Sequence, residues 1–182
     1  MANENIAWVD IETTGLKAAR DTILELAVII TDKDLNVLEE TPSVVIHQTD
    51  EILDGMDRWC TEQHGKSGLI DKCRESDMEM SEADELLAFL LGEYNTGGYG
   101  MNGKMPMGGN SVHFDRSFIA YHMPKFHSEF HYRNIDVSCI YELCRRWRPE
   151  LITDANTPHR ALDDIRNSIK YLQHYKEFLF DT

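Results

Sequence analysis

No stretch of this chain stays apolar for long. None reaches the roughly 18 residues that a bilayer-spanning helix requires, which excludes a helical membrane anchor within the sequence. Cysteine is sparse, with four (Cys60, Cys73, Cys139 and Cys144) among 182 residues. They match neither a zinc spacing nor a C-x-x-C redox pair. They read as reduced thiols of a cytosol-like compartment. Positive charge is also scarce, with 18 Lys and Arg against 32 Asp and Glu and a net charge of −14. That argues against tight, sequence-blind binding of long nucleic acid, double-stranded above all, which normally needs a basic track to displace counterions. The densest basic patch, Arg145-Arg146-Trp147-Arg148, reads as a solvated helix end. A small anionic substrate remains open if a metal and a few local cations meet it. Met1-Ala2-Asn3-Glu4-Asn5 is neither a signal peptide nor an Arg-rich transit peptide. A cytoplasmic location is expected, or a mitochondrial one if a presequence has been removed. There are no internal repeats and no dividing linker, so residues 1–182 read as one domain with one sizeable core. Hydrophobic content of 42% and charged content of 27% are those of an ordinary globular chain.

Against that background the segment from Ile6 to Leu16 stands out. Ile6-Ala7-Trp8-Val9-Asp10-Ile11-Glu12 reads as an apolar strand ending in two carboxylates and broken by Gly15. Side chains two apart share a face of a strand. Asp10 and Glu12 therefore project together, while Val9 and Ile11 point to a core. Paired carboxylates at the end of a buried strand repel each other and resist desolvation. A hard divalent cation such as Mg²⁺ or Mn²⁺ relieves both effects. Taken alone, D-x-E reads more readily as a strand running out into solvent with two surface acids.

Further along, the run from Ile23 to Ile30 has the look of a central strand, apolar on both faces. Glu25 interrupts it, and either finds a partner beside the carboxylates or marks an edge. Val37-Leu38 and Val44-Val45-Ile46 extend an antiparallel meander of three strands. Leu53 to His64 is expected to be helical. Ser81-Glu82-Ala83-Asp84 has the spacing of a capping box, and Ala83, Leu86, Leu87, Leu90, Leu91 and Tyr94 follow at helical spacing. A glycine- and methionine-rich loop from Asn95 leads to a short strand near Met105-Pro106-Met107, and that strand delivers Gly109-Asn110-Ser111. Helix returns from Phe114, with Phe118, Ile119 and His122 on one face. Tyr132 to Val137 reads as a strand entering a helix that buries Val137, Ile140, Tyr141, Cys144 and Trp147, and Arg148-Pro149 ends it. Thr157 and Pro158 suit the cap and first position of a last helix. Its buried stripe is Ile165, Ile169, Leu172 and Leu179. Strands first, then mostly helices, suggest a mixed α/β sheet covered by helices.

Three pieces carry chemistry. Besides Asp10-Ile11-Glu12 there is Gly109-Asn110-Ser111-Val112-His113-Phe114-Asp115, a small-residue turn presenting a carboxylate. The third is His159-Arg160-Ala161-Leu162-Asp163-Asp164. His159 and Asp164 are five apart, which turns through about 500° on an ideal helix. His159 therefore belongs to an irregular first turn and Asp164 to the regular helix, with Asp163 about 100° away toward solvent. Each piece has a plain reading too. Asp115 suits a helix cap, His159 a surface imidazole, and Asp164 a favourable first-turn charge.

Set and order together resemble the DEDDh-type 3′→5′ exonucleases, and within them the oligoribonucleases. The general pattern is D-x-E, then a middle Asp, then H-x-x-x-x-D. More specific matches are Trp8 to Leu16, Gly109 to Val112, Tyr132 to Ser138 and His159 to Ile165, so the likeness spans nearly the whole chain. It implies a ribonuclease H-like α/β fold, a five-stranded mixed sheet flanked by helices. It implies that Asp10, Glu12, Asp115 and Asp164 hold two Mg²⁺ or Mn²⁺ ions that activate water and offset charge on the phosphate. Imidazole titrates near neutrality, which suits His159 to the role of general base. For substrate, the resemblance makes Leu16 a wedge between two bases and Trp59 a stacking surface. Ser111, Arg133, Ser138 and His64 become a cap on the 5′-phosphate, and Tyr132 a residue reaching across a homodimer. Such a cap closes the site after about two nucleotides and favours a dinucleotide of short RNA, for which the acidic net charge is no handicap. Two features depart from the pattern: a longer glycine/methionine segment at 96–108, and Cys139 in place of threonine.

A related exonuclease trimming longer RNA or DNA 3′ ends is the alternative, and it would want a basic track. An inactive, nuclease-like binding module is a third reading, opposed by the presence of all five pattern residues.

Overall fold

The structure is a computed structural model that describes residues 4–95, 103–152 and 160–179. A mixed sheet forms its centre. Strand β1 (Ile6–Thr13) lies between β2 (Ile23–Thr31) and β5 (Met107–Gly109). The order β3-β2-β1-β5-β6 is completed by β3 (Val37–Glu40) and β6 (Asn134–Asp136). β1 runs antiparallel to β2 and parallel to β5, and β6 is parallel to β5. All nine residues of β2 are buried, as a strand with both faces covered requires.

The period of two along β1 sorts its side chains into two cores. Ala7, Val9 and Ile11 join Leu26, Val28 and Ile30 on one face. There they meet Ala83, Leu87 and Leu91 of α4 (Met80–Tyr94) and Phe118 and Ile119 of α5 (His113–His122). Phe126 of the short helix α6 (Pro124–Ser128) completes that side. Ile6 and Trp8 face the other way, with Ala27 and Ile29. They pack on Val137 and Cys144 of α7 (Val137–Trp147) and on Ile165, Ile169 and Tyr175 of α8 (Ala161–Leu179). Asp10 and Glu12 continue this second face, so the strand aims its carboxylates at the α8 side. Trp8 is anchored there by a buried bond from Nε1 to Thr31 Oγ1, 2.9 Å long. β5 approaches so closely that a Cβ on Gly108 would stand 2.8 Å from Ile6 Cγ2 and 2.9 Å from the Trp8 ring.

Several expectations change. The sheet has six strands, because β4 (Val44–Val45) also pairs with β2. β3 and β4 do not form a hairpin with each other; both lie along the same strand, β3 against Ile29–Thr31 and β4 against Glu25 and Leu26. Pro42 falls between them and has no N–H for the ladder. The helix expected over Leu53–His64 is two: α1 (Asp50–Asp54) and α2 (Arg58–Lys66), the second capped by Asp57. A third short helix, α3 (Leu69–Glu75), follows. α4 begins before Ser81, with Glu79 at the cap and its N–H bonded to the Glu82 carboxylate at 3.0 Å. In α7, Tyr141 and Trp147 are exposed, Trp147 by 71%. Trp147 lies about 80° around the helix from the direction of Val137, off the stripe that meets the sheet. The basic patch there is indeed solvated, with Arg145 and Arg146 both paired to Glu142.

The α8 stripe follows expectation, Ile165 and Ile169 being buried and Leu172 and Leu179 partly so, with Tyr175 added. Cys60, Cys73 and Cys144 are buried free thiols and Cys139 an exposed one. Among the described residues no helix is long and apolar enough to cross a membrane. Thr157, Pro158, His159 and residues 96–102 lie outside the described residues.

Candidate active site

β1 and α8 supply the centre of the site. Asp10, Glu12 and Asp164 each offer a carboxylate oxygen, and those oxygens lie within 4.8 Å of one another. Asp164 reaches them from the first turn of α8. Its neighbour Asp163 turns outward to Arg166 Nη1 at 2.9 Å, as the helical spacing predicts.

Asp115 arrives from the start of α5 and is 5% exposed. β1 and β5 are in register only at Ala7–Met107 and Trp8–Gly108. Beyond those pairs the β1 backbone needs another acceptor, and the Ile11 N–H donates to Asp115 Oδ1 at 3.1 Å. Asp115 is thereby fixed to the β1 backbone at Ile11, outside the trio of converging oxygens but near enough for its charge to act on Asp10. The turn before it is tied to α8, since Asn110 Nδ2 donates to Ser168 Oγ at 2.7 Å and that hydroxyl donates to the Asp164 carbonyl at 2.9 Å.

Crowding and burial oppose ionisation here. Burial, then Asp115, Asp164 and Glu12, push the Asp10 carboxyl well above its ordinary range. Burial, with Asp164 and Glu25, pushes Glu12 up to about 8, and the Arg160 cation offsets part of that. Asp115 is pushed up to about 7, again mainly by burial, against the pull of its backbone hydrogen bonds. Buried acids crowded in this way, with the Asp10, Glu12 and Asp164 oxygens converging, match the donor set of a hard divalent cation. The residues present fit such an ion.

Glu25 is fully buried directly across the ladder from Glu12. Its partner is Arg160, which grips both oxygens, Nη2 to Oε1 at 2.6 Å and Nε to Oε2 at 2.9 Å. The sequence left a partner or an edge open for Glu25, and the structure gives it a partner. Arg160 lies within the His159–Asp164 motif, and the sequence signal for its pairing is an acid inside an apolar strand that must find a cation.

The remaining candidates fall in two groups. His64 is buried, with Nε2 3.0 Å from the Thr13 carbonyl oxygen and Nδ1 3.9 Å from Glu12 Oε2. Those contacts tie it to the carboxylate cluster. Leu16, just past β1, is 76% exposed, and Trp59, on α2, is 60% exposed. Ser111 and Ser138 come together from the β5–α5 turn and the start of α7. The Ser111 N–H donates to Ser138 Oγ at 3.1 Å and to Asp136 Oδ1 at 3.0 Å, with Ser111 at a φ of +50°. Asp136 also accepts from the Ser138 N–H at 3.0 Å, capping α7. Sequence reasoning gave Asp136 no part in this arrangement. Tyr132 is 63% exposed and stacks on His131, and the Arg133 guanidinium lies 5.4 Å over the Tyr132 ring.

A helix-flanked mixed sheet whose first strand carries a D-x-E toward a C-terminal helix defines a class of nucleases, and the comparisons agree. Residues 7–172 match the Exonuclease family, RNase_T. In fold, the chain resembles exonuclease I of E. coli in complex with an oligonucleotide, with a TM-score of 0.69 and 18% identity, covering 97% of this chain and 41% of that one. A moderately thermophilic exonuclease I from Methylocaldum szegediense gives a TM-score of 0.70 at 18% identity, over 96% of this chain and 41% of that one. The chain thus spans about two fifths of those larger proteins, and at such identity the likeness concerns the fold. Curated relatives are nearer. The oligoribonuclease of Colwellia psychrerythraea is 47% identical over 98% of this chain and 97% of its own length. The mitochondrial oligoribonuclease of Homo sapiens is 46% identical over 97% of this chain and 74% of its own length. The chain belongs to the exonuclease family and, within it, to the oligoribonucleases.

Proposed function

We propose that this protein is a metal-dependent 3′→5′ exoribonuclease that hydrolyses dinucleotides and very short RNA oligomers to 5′-mononucleotides. The observation that carries this reading is the convergence of Asp10, Glu12 and Asp164 from opposite ends of the chain, with Asp115 locked beside them, in a member of this family. Asp10, Glu12, Asp115 and Asp164 would hold the two Mg²⁺ or Mn²⁺ ions. When bound, such ions lower the pKa of water and offset charge on the phosphate. His159 serves as general base for the attacking water, and the 3′-terminal nucleotide leaves with the 5′-phosphate.

Substrate is placed by residues around this centre. Leu16 and Trp59 present exposed apolar surface suited to wedging and stacking bases, which side chains in a packed core could not offer. Ser111, Ser138 and Arg133 form the cap on the 5′-phosphate, and His64 contributes from the carboxylate side. Tyr132, exposed on one protomer, reaches the site of its partner in a homodimer. The net charge of −14 weighs against the alternative of trimming long RNA or DNA ends. A cytoplasmic location suits the free thiols, and the match to mitochondrial relatives leaves that compartment open.

The test is a length series: 5′-labelled RNAs of two to about seven nucleotides (the span over which a two-nucleotide cap should discriminate), with Mg²⁺ or Mn²⁺, below saturation. The expected result is much faster cleavage of the dinucleotide than of the longest oligomer. A rate that rises with length overturns the capped site.

A further inference from the structure

Glu25 and Arg160 have no part in the chemistry described above, yet they occupy its border. Glu25 stands opposite Glu12 in the β1–β2 register, so the two carboxylates share one face of the sheet. Directly opposed like charges destabilise a sheet. A metal ligand gains nothing from a second, unpaired acid at that distance. The Arg160 guanidinium accounts for the arrangement. It acts on Glu25 first and on Glu12 next, and both of its hydrogen-bonding edges toward this corner are engaged by Glu25. The planar fork of arginine fits a carboxylate in this bidentate way better than any other partner.

Without Glu25, the same cation would face Glu12. An arginine paired to a metal ligand competes with the metal for its oxygens. We propose that Glu25 is a positioning residue that holds the Arg160 guanidinium off Glu12 and so keeps the Glu12 carboxylate available to a divalent cation. Glu25 is a buried counter-ion whose work is to occupy Arg160. The fold supports this division. Arg160 opens α8 through the bond from the Asp164 N–H to its backbone carbonyl, 3.0 Å long, so the backbone holds position 160 at this corner whichever carboxylate the side chain pairs with. The inference rests on the reading of Asp10, Glu12 and Asp164 as metal ligands.

The experiment is Mn²⁺ binding by calorimetry to the EDTA-stripped full-length protein, with no substrate present. Glu25→Gln keeps the size of the side chain and removes its charge. It should weaken Mn²⁺ binding by about tenfold or more, in the range found when the partners of metal ligands are removed. Glu25→Gln/Arg160→Gln removes the competing cation as well and should recover an affinity within about threefold of the parent. Arg160→Gln alone should bind Mn²⁺ at least as tightly as the parent. A pair that merely ties helix to sheet predicts otherwise, with both single variants weakened and the double variant weakest. That pattern, or an unchanged Glu25→Gln, overturns the proposal. If Glu25→Gln does not fold, Arg160→Gln decides, since loss of Mn²⁺ affinity there has the same force. Failure of the parent protein to bind Mn²⁺ would instead strike the metal-site reading itself.

Discussion

The Ile11 N–H and the Asp115 carboxylate form a 3.1 Å bond across 104 residues of sequence. It holds a further acid against the β1 backbone at Ile11 and gives a buried backbone donor its acceptor. Charge and hydrogen bond can be separated. Asp115→Asn keeps an acceptor for Ile11 and removes a repelling charge, so the metal-free protein should be at least as stable as the parent while turnover is lost. Asp115→Ala leaves the donor unsatisfied and should cost about 1–3 kcal/mol. Urea unfolding in EDTA distinguishes them, and equal stability of the two variants would remove the structural half of the assignment.

The pH dependence of the metal-free protein follows from the same crowding. Glu12 rises from an ordinary 4.5 to about 8 and Asp115 from 3.8 to about 7. A carboxyl whose pKa is raised by folding makes the folded state the better proton acceptor. Its contribution is complete below the unfolded value and is lost as pH climbs through the folded one. Metal-free stability should therefore decline between about pH 4.5 and 8 through this site. Glu12→Gln, which no longer titrates, should show a shallower decline. Added Mn²⁺ should displace the protons and flatten the slope. Thermal unfolding in EDTA across that range is the measurement, and a steeper decline in Glu12→Gln would contradict it.

How much of this was legible beforehand depended on sequence distance. β1, β2 and the inward stripe of α8 announced themselves because period and burial agree over many residues. The convergence of Asp10, Glu12 and Asp164 was legible through spacing and family likeness. Glu25 could not be placed, since its partner Arg160 lies 135 residues away. The arrangement of β3 and β4 along one edge depends on a break at Pro42 that local propensity does not orient. Trp147 looked like core because apolar residues occur on several sides of α7, and periodicity alone does not say which side the sheet takes.

Exposed apolar side chains beside the site should matter for binding and little for folding. Trp59→Ala should weaken dinucleotide binding by about 1–3 kcal/mol, the usual worth of a stacked base. Folding stability should move by no more than about 0.5 kcal/mol, as for other exposed positions. Leu16→Ala should behave alike in stability. The binding arm is measured on an Asp10→Ala background, where substrate survives. A Trp59→Ala protein that unfolds like a core variant would place the ring inside the fold in solution.

His159→Ala should leave Mn²⁺ binding intact and slow hydrolysis by about 10²–10⁴-fold, the range for a lost general base. Parallel calorimetry and single-turnover kinetics check it. Unchanged turnover would take His159 out of the proton transfer.

The site is gathered from positions 10, 12, 115 and 164 of the chain, and only the first two belong to one local hairpin. That dispersal sets a timetable. The β1–β2 ribbon pairs neighbours and can form as soon as both strands have left the ribosome, whereas contacts across a hundred residues close late. A nascent chain that ends before α8 carries Asp10 and Glu12 without Asp164. The chemistry of such a nuclease waits on the docking of α8, because the three converging carboxylates are not together before it.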